Sequence, residues 1–151
     1  NSNKPTAIIL SRQGLEPLKR DDIALSQIEM GGYIAHEPAE EPKAVIISSG
    51  SEIGVSINAA KKLGNVRVVS MPCTERFDIQ DDKYKESVLG KGLPRLAVES
   101  SHKDWWFKYV GLEGEVLGME SFGESAPGNI LEDHFGFSEE NILKILKNLI
   151  K

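Results

Sequence analysis

The stretch AVIISSGSEIGVSINAAKKLG, residues 44–64, decides the fold class of this chain. Residues 44–47 are apolar and rich in β-branched side chains, which is typical of a strand that is covered on both faces. Apolar residues then recur at helical spacing, and Gly64 follows as a typical left-handed helix stop. A second apolar run comes directly afterwards, at 66–71. Strand, helix and strand in this order predict a βαβ unit and an α/β fold.

The turn between the first strand and the helix has two interpretations. Ser49 and Glu52 have the spacing of a capping box, so we expect them to close the start of the helix. Backbone N–H groups at a helix start can also hold an anion. However, the turn has one glycine, Gly50, where a dinucleotide-binding loop has three, and the Glu52 carboxylate would repel a phosphate. We therefore interpret the turn as a capped helix start without a ligand.

Predicted strands and helices alternate along the rest of the chain. Residues 5–11 are predicted as a strand, and residues 74–79 are predicted as irregular chain. Ser138 is the predicted N-cap of a final helix. The other predicted elements are strands at 33–35, 95–99 and 116–119, a helix at 81–89, and short helical segments at 23–30, 102–109 and 128–136. This alternation predicts a three-layer α/β/α domain.

The composition excludes several classes of protein. The chain has 151 residues, of which 40% are hydrophobic and 27% charged, as is typical of one globular domain. A net charge of −5 argues against nucleic-acid binding, and no apolar run approaches the length of a membrane span. We expect no signal peptide. Because the first residue is not methionine, we also expect the chain to be a piece of a longer protein. The single cysteine, Cys73, favours a reducing, cytoplasmic setting.

Few residue types in the chain could carry chemistry. Arg12 closes an apolar run at the edge where α/β sheets bind ligands, so it could bind a phosphate, although the residues alone favour a surface arginine. His36, His102 and His134 match no zinc-binding spacing. Cys73 has no evident histidine and asparagine partners, which favours a small, partly buried residue over a nucleophile. From the residues alone, no complete catalytic constellation is visible.

Nine motifs, in order along essentially the whole chain, resemble the C-terminal part of the transketolase family in its bacterial form. They are PTAIILSRQGL at 5–15, GGYI at 31–34, SSGSEIGVS at 48–56, VRVVSMPCTERFDIQD at 66–81, YKESVLG at 84–90, AVES at 97–100, KYVGLEGEVLGM at 108–119, SFGESAP at 121–127 and FGFSEENIL at 135–143. Several long matches in one order are far more specific than a lone glycine-rich loop.

The resemblance implies a domain division and a sheet. Residues 1–28 would be the tail of the middle, pyrimidine-binding domain of such an enzyme, and residues 29–151 its C-terminal domain. That domain would hold a five-stranded mixed, mostly parallel sheet with one antiparallel strand, the first strand being 33–35.

The resemblance also implies a function. The full-length enzyme would transfer a two-carbon ketol unit between ketose and aldose phosphates in the pentose phosphate pathway, as a cytoplasmic homodimer with thiamine diphosphate and Mg²⁺ (or Ca²⁺). In the family, the arginine of a Ser-Arg-Gln motif contacts the substrate phosphate. Arg12 matches this arginine, so the resemblance favours a phosphate-binding residue over a surface arginine. Catalytic, cofactor-binding and metal-binding residues would lie in the upstream domains, so the segment alone should be inactive.

Two alternatives remain open at this point. One is a regulatory module that binds a small molecule at the Gly50 turn. The other is the C-terminal domain of a related thiamine enzyme, such as a dehydrogenase β subunit or deoxyxylulose-phosphate synthase. The FGESAP and SMPCTERFD runs favour transketolase over these relatives.

Overall fold

A five-stranded mixed sheet forms the middle of the molecule. The computed structural model describes residues 5–11 and 13–151. The strands are β1 (Tyr33–His36), β2 (Ala44–Ser48), β3 (Val66–Ser70), β4 (Arg95–His102) and β5 (Glu115–Met119). Their order is β1-β3-β2-β4-β5, in which β1 pairs antiparallel with β3 and the other pairs are parallel. The predicted mixed sheet with one antiparallel strand is confirmed.

Helices cover both faces of this sheet. They are α1 (Asp22–Ile28), α2 (Glu52–Leu63), α3 (Thr74–Asp78), α4 (Asp82–Leu89), α5 (Phe107–Val110), α6 (Gly128–His134) and α7 (Glu139–Leu149), with a 3₁₀ turn at Lys103–Trp106. Side chains of α2 and α7 pack on one face of the sheet, and side chains of α3, α4 and α5 pack on the other. The predicted three-layer α/β/α architecture is therefore confirmed.

The central strand β2 connects the two cores. All five of its residues are buried. Ala44 and Ile46 belong to the core beneath α2 and α7, whereas Val45 and Ile47 belong to the core on the opposite face. Successive side chains of a strand point to opposite faces, so a strand covered on both faces needs an unbroken apolar run. This is why the pattern of the sequence predicted β2 correctly.

The start of α2 differs from the prediction, whereas its end agrees with it. The helix ends at Gly64, which has a left-handed φ of 91°. At the start, Ser51 is the N-cap residue and makes no side-chain capping bond. The predicted capping box of Ser49 and Glu52 is wrong, because the Ser49 hydroxyl donates instead to Glu99 on β4.

Residues 74–79 were predicted as irregular, but they contain helix α3. Its Phe77 is buried, with its backbone close to Gly31 and its ring close to Gly32, the two residues directly before β1. A Cβ on Gly31 would lie only 2.3 Å from the Cys73 carbonyl oxygen, so this close packing requires glycine. A contact between segments more than forty residues apart therefore stabilises a helix that has little pattern of its own.

The predicted strand at 5–11 is also wrong. The structure describes this segment without regular secondary structure, and its side chains are exposed. A strand requires a neighbour with which to exchange backbone hydrogen bonds. The described residues form only the sheet β1-β3-β2-β4-β5, to which 5–11 does not belong.

The final helix was predicted correctly. The Ser138 hydroxyl accepts a hydrogen bond from the Asn141 N–H, as expected of an N-cap, and Ile142 and Leu146 are fully buried. Within the part of the chain that the structure describes, no helix has the length and apolar character needed to cross a membrane.

Candidate functional site

The carboxyl edge of the sheet is the first place to look for a site. Strands β2, β3 and β4 run parallel, so their carboxyl ends meet at one edge. The chain passes from β2 to β3 on one side and later returns to β4 on the other side. Crevices at such points, where the strand order reverses, are where open α/β sheets usually bind ligands.

A serine and a glutamate connect β2 and β4 at this edge. The Ser49 N–H donates to Glu99 Oε2 at 3.1 Å, and the Ser49 hydroxyl donates to the same oxygen at 2.6 Å. The Ser49 carbonyl oxygen accepts from the Glu52 N–H at 3.2 Å. The backbone and side chain of Ser49 are therefore both held in place.

Two carboxyl groups make this edge acidic. Burial raises the pKa of Glu99 to about 7; hydrogen bonds from Ser49 oppose this rise, and the negative charge of Glu52 adds to it. Glu52 is itself buried, and its Oε1 accepts a hydrogen bond from the Ser51 hydroxyl at 3.0 Å. Negative charge at a helix N-terminus takes the place that an anion would occupy. The turn is therefore poorly suited to bind an anionic regulator.

The N-terminal segment passes close to this turn. Gly50 has a φ of +51°, and a Cβ built on it would lie 3.7 Å from the Ser11 hydroxyl oxygen. Ser11 and Gln13 flank Arg12 and are exposed. Arg12 itself lies outside the described residues, so its contact with a substrate phosphate stays a prediction.

A cavity of about 400 Å³ lies beside the turn. Segment 15–20 lines one side of it, and the first turn of α2 lines another. Arg20 and Tyr33 also line the cavity, and the Arg20 Nε donates to the Tyr33 hydroxyl at 2.8 Å, which ties the N-terminal segment to β1. Residues 15–20 therefore contact the domain around its carboxyl edge, whereas residues 5–11 are exposed.

Comparison with known proteins decides the family. The family model described as the transketolase-like C-terminal domain matches residues 31–138, which is more than half of the chain. The chain belongs to the transketolase C-terminal domain family.

Curated transketolases are similar over almost the whole chain. Identity is 48% over 151 residues with the transketolase of Buchnera aphidicola, and 45% over 151 residues with transketolase 1 of Escherichia coli. In both cases 97% of this chain is matched, but only 22% and 23% of the relative. The chain thus spans less than a quarter of the length of these relatives.

Solved transketolases have the same fold. The transketolase of Leishmania mexicana matches 84% of this chain and 19% of its own with a TM-score of 0.78 and 36% identity. The transketolase of Pichia stipitis, solved in complex with sedoheptulose-7-phosphate, matches 91% of this chain and 20% of its own with a TM-score of 0.80 and 29% identity.

The three histidines of this transketolase family member lie on different elements. His36 ends the edge strand β1, where burial lowers its pKa. His102 ends β4, and His134 ends α6 with its Nε2 3.5 Å from a Glu124 carboxylate oxygen. The residues described here hold no group of three or more His, Cys, Asp or Glu side chains that could bind a metal ion.

Cys73 has a structural position. It is the N-cap residue of α3, and its thiol lies 3.6 Å from a Glu75 carboxylate oxygen. The thiol is free, and the residue is half-buried. Its carbonyl oxygen accepts from the Phe77 N–H, so the backbone of Cys73 starts the helix.

Sequence reasoning missed two groups of polar residues. Glu99 was predicted only as the end of a strand and as part of the AVES motif, and a carboxylate directly after three buried residues of that strand was the available signal. The second group connects α3 and α5: Asp78 accepts from Lys108 at 2.6 Å and from the Tyr109 hydroxyl at 3.0 Å. Burial, followed by the bond to Asp78, raises the pKa of Tyr109 to about 12. This group holds two helices together on the face opposite to α2.

Proposed function

We propose that this chain is the C-terminal part of a longer transketolase. That enzyme would transfer a two-carbon ketol unit between ketose and aldose phosphates in the pentose phosphate pathway. The observation that carries the proposal is the 42–48% identity to bacterial transketolases over at least 93% of this chain, but less than a quarter of theirs. The free Cys73 thiol supports a reducing, cytoplasmic location.

Residues 1–28 would belong to the preceding, middle domain, and residues 29–151 would form the C-terminal domain. Two observations support this division. The family model begins at residue 31, and both cores are built from residues after that point. By contrast, Ile8, Ile9 and Leu10 are 78–95% exposed, although such side chains are usually buried. A neighbouring domain would cover them.

Within the enzyme, Arg12 would bind the phosphate of the sugar substrate. A guanidinium group can grip a phosphate with two hydrogen bonds. The solved Pichia stipitis transketolase binds a sugar phosphate, sedoheptulose-7-phosphate, which supports this class of substrate. Holding the phosphate would orient the substrate at a distance from the reacting carbon, and orientation of this kind contributes to catalysis.

Thiamine diphosphate and Mg²⁺ (or Ca²⁺) would be bound by the upstream domains. The carboxylates of Glu52 and Glu99 lie at the Gly50 turn, which disfavours a diphosphate there. We expect the chain to contribute no catalytic group of its own and to be inactive alone. Its other partners would be the upstream domains and a second copy of the enzyme.

The test is Arg12→Ala in the full-length enzyme. We expect the KM for sugar phosphates to rise roughly ten- to hundredfold, because a charge-assisted hydrogen bond is worth about 1.5–3 kcal/mol. The KM for an unphosphorylated ketose should barely change. Steady-state kinetics with both substrates measures the difference. Lys19→Ala, which removes an exposed cation from the same segment, is the matched control and should change neither value. Equal losses for both substrates in Arg12→Ala would contradict the phosphate role.

A further inference from the structure

The segment 120–134, which connects β5 to α7 and contains α6, packs little against the rest of the chain. Of its residues, Leu131 is half-buried and all the others are exposed. Every other helix of the domain at 29–151 buries at least one side chain, whereas α6 buries none. A helix of only seven residues is not stable in water through its own backbone bonds. The segment therefore lacks the packing partner that such a short helix requires.

Large apolar side chains of this segment are uncovered. Phe122 is 97% exposed, and more than half of the Ile130 side chain is exposed. Trp105, in the 3₁₀ turn that follows β4, is also mostly exposed. An ion pair between Lys103 and Glu120 joins that turn to the start of the segment. Exposed aromatic side chains of this kind are typical of surfaces that bind another protein.

The same part of the chain is acidic. Between Lys108 and Lys144 the sequence has eight Asp or Glu residues and no Lys or Arg. Four of the eight lie in the segment itself, at positions 120, 124, 132 and 133, and all four are exposed. A protein surface rich in Lys and Arg would be complementary in charge to this segment.

The segment lies next to the place where the N-terminal segment contacts the domain. Glu132 and Asp133 line a cavity of about 280 Å³ together with Ser51 and Glu52. Ser51 also lines the cavity of about 400 Å³ to which residues 15–20 contribute. The segment 120–134 and residues 15–20 are therefore neighbours around the Gly50 turn, at the carboxyl edge of the sheet.

The length of the relatives indicates what covers this edge. More than three-quarters of each curated transketolase has no counterpart in this chain. In the proposed enzyme that part precedes residue 1 and joins the domain through the N-terminal segment. A body of this size, attached at the carboxyl edge, would lie over the residues that surround the point of attachment.

We propose that the segment 120–134 is the docking surface for the upstream part of the same protein. Phe122 and Ile130 would pack into an apolar depression of that part, and Lys and Arg side chains around the depression would face the four acidic residues. The inference rests on the proposed function, which supplies the upstream part. It adds which surface of the C-terminal domain is covered and by what chemistry.

Hydroxyl-radical footprinting of the full-length enzyme and of the 151-residue chain tests whether the surface is covered. Phe122 should be modified about tenfold more slowly in the full-length enzyme, because an interface anchor is shielded from water. Leu112 is the control, since it is fully exposed but lies before β5, at the opposite edge of the sheet. Its rate should be the same in both proteins. Equal rates for Phe122 in both proteins would overturn the proposal.

Carbodiimide cross-linking of the full-length enzyme identifies the occupant. Glu124 and Glu132 should form cross-links to lysines that precede residue 1. Cross-links from them only to lysines within residues 1–151 of a second copy would contradict the proposal.

A charge reversal tests the basic character of the partner surface. Glu124→Lys should raise the modification rate of Phe122 severalfold in the full-length enzyme and leave it unchanged in the 151-residue chain, because like charges now face each other. Glu113→Lys, beside Leu112, is the matched control and should change neither rate. An unchanged rate in full-length Glu124→Lys would overturn the basic partner.

An assay of ketol transfer with the same full-length preparation separates this inference from the proposed function. If the enzyme is active but Phe122 is not protected, the docking surface is wrong and the proposed function stands. If the protein is inactive but Phe122 is protected and cross-links lead upstream of residue 1, the proposed function is wrong and the docking surface stands.

Discussion

Two four-residue runs of nearly the same composition differ in burial and in secondary structure. The run Ala-Val-Ile-Ile at 44–47 is completely buried in β2, between β3 and β4. In the run Ala-Ile-Ile-Leu at 7–10, all four residues are exposed and in no strand. Hydrophobicity and β-propensity are almost the same for the two runs, so neither property explains the difference.

The difference lies in what surrounds each run. β2 has a parallel neighbour on each side and a helical layer on each face, so its backbone is paired and its side chains are packed. The run at 7–10 has no such surroundings among the described residues. A strand is stabilised by pairing and packing more than by intrinsic preference. The proposed middle domain would supply what this second run lacks.

The largest effect that we expect comes from truncating one isoleucine in each run. Ile46→Ala should lower the free energy of unfolding of the 151-residue chain by about 2–5 kcal/mol, because it leaves a cavity in the core. Ile9→Ala, a chemically identical change at a 95% exposed side chain, should stay within about 0.5 kcal/mol. Urea unfolding of both variants measures the difference. A comparable loss in the two variants would show that 7–10 packs on this domain.

A smaller effect on the free energy of unfolding should come from the titration of Glu99, on the strand that pairs with residues 44–47. The pKa of Glu99 is raised to about 7, chiefly by burial and also by the charge of Glu52. The folded chain therefore binds this proton more tightly than the unfolded chain. The contribution of protonated Glu99 to stability is fully present below about pH 4.5 and is lost as the pH rises through about 7. The free energy of unfolding should change by up to about 3 kcal/mol as a result.

The variant Glu99→Gln isolates this contribution. The free energy of unfolding of the unmodified chain, relative to that of Glu99→Gln, should fall between pH 4.5 and pH 7.5. Glu115→Gln, at an exposed position on β5, is the control and should leave the pH profile unchanged. Urea unfolding at a series of pH values measures all three proteins. Parallel profiles for the unmodified chain and Glu99→Gln would mean that Glu99 titrates normally.

Most of the fold could be predicted from the sequence because its signals are local. The apolar run of β2, the helical periodicity of α2, the stop at Gly64 and the N-cap Ser138 each lie within one short segment. The resemblance to transketolases added the number of strands and the presence of one antiparallel strand among them. Both were confirmed by the structure.

Most of the errors have one physical origin, namely partners that are distant in the sequence. Ser49 bonds to a residue fifty positions away instead of capping its own helix. Helix α3 forms where Phe77 packs on Gly31 and Gly32. Glu99 was missed as a site residue for the same reason, since its partners lie on another strand. Arg12 came from the resemblance alone, because a single arginine after an apolar run is not specific.

We expect residues 7–10 to form a strand only beside an upstream domain, and hydrogen–deuterium exchange tests this most directly. In the 151-residue chain, the amides of 7–10 should exchange within seconds, whereas those of 44–47 should be protected to the level of global unfolding. In the full-length enzyme both runs should be protected. Rapid exchange of 7–10 in the full-length enzyme, or protection of 7–10 in the chain alone, would contradict the account.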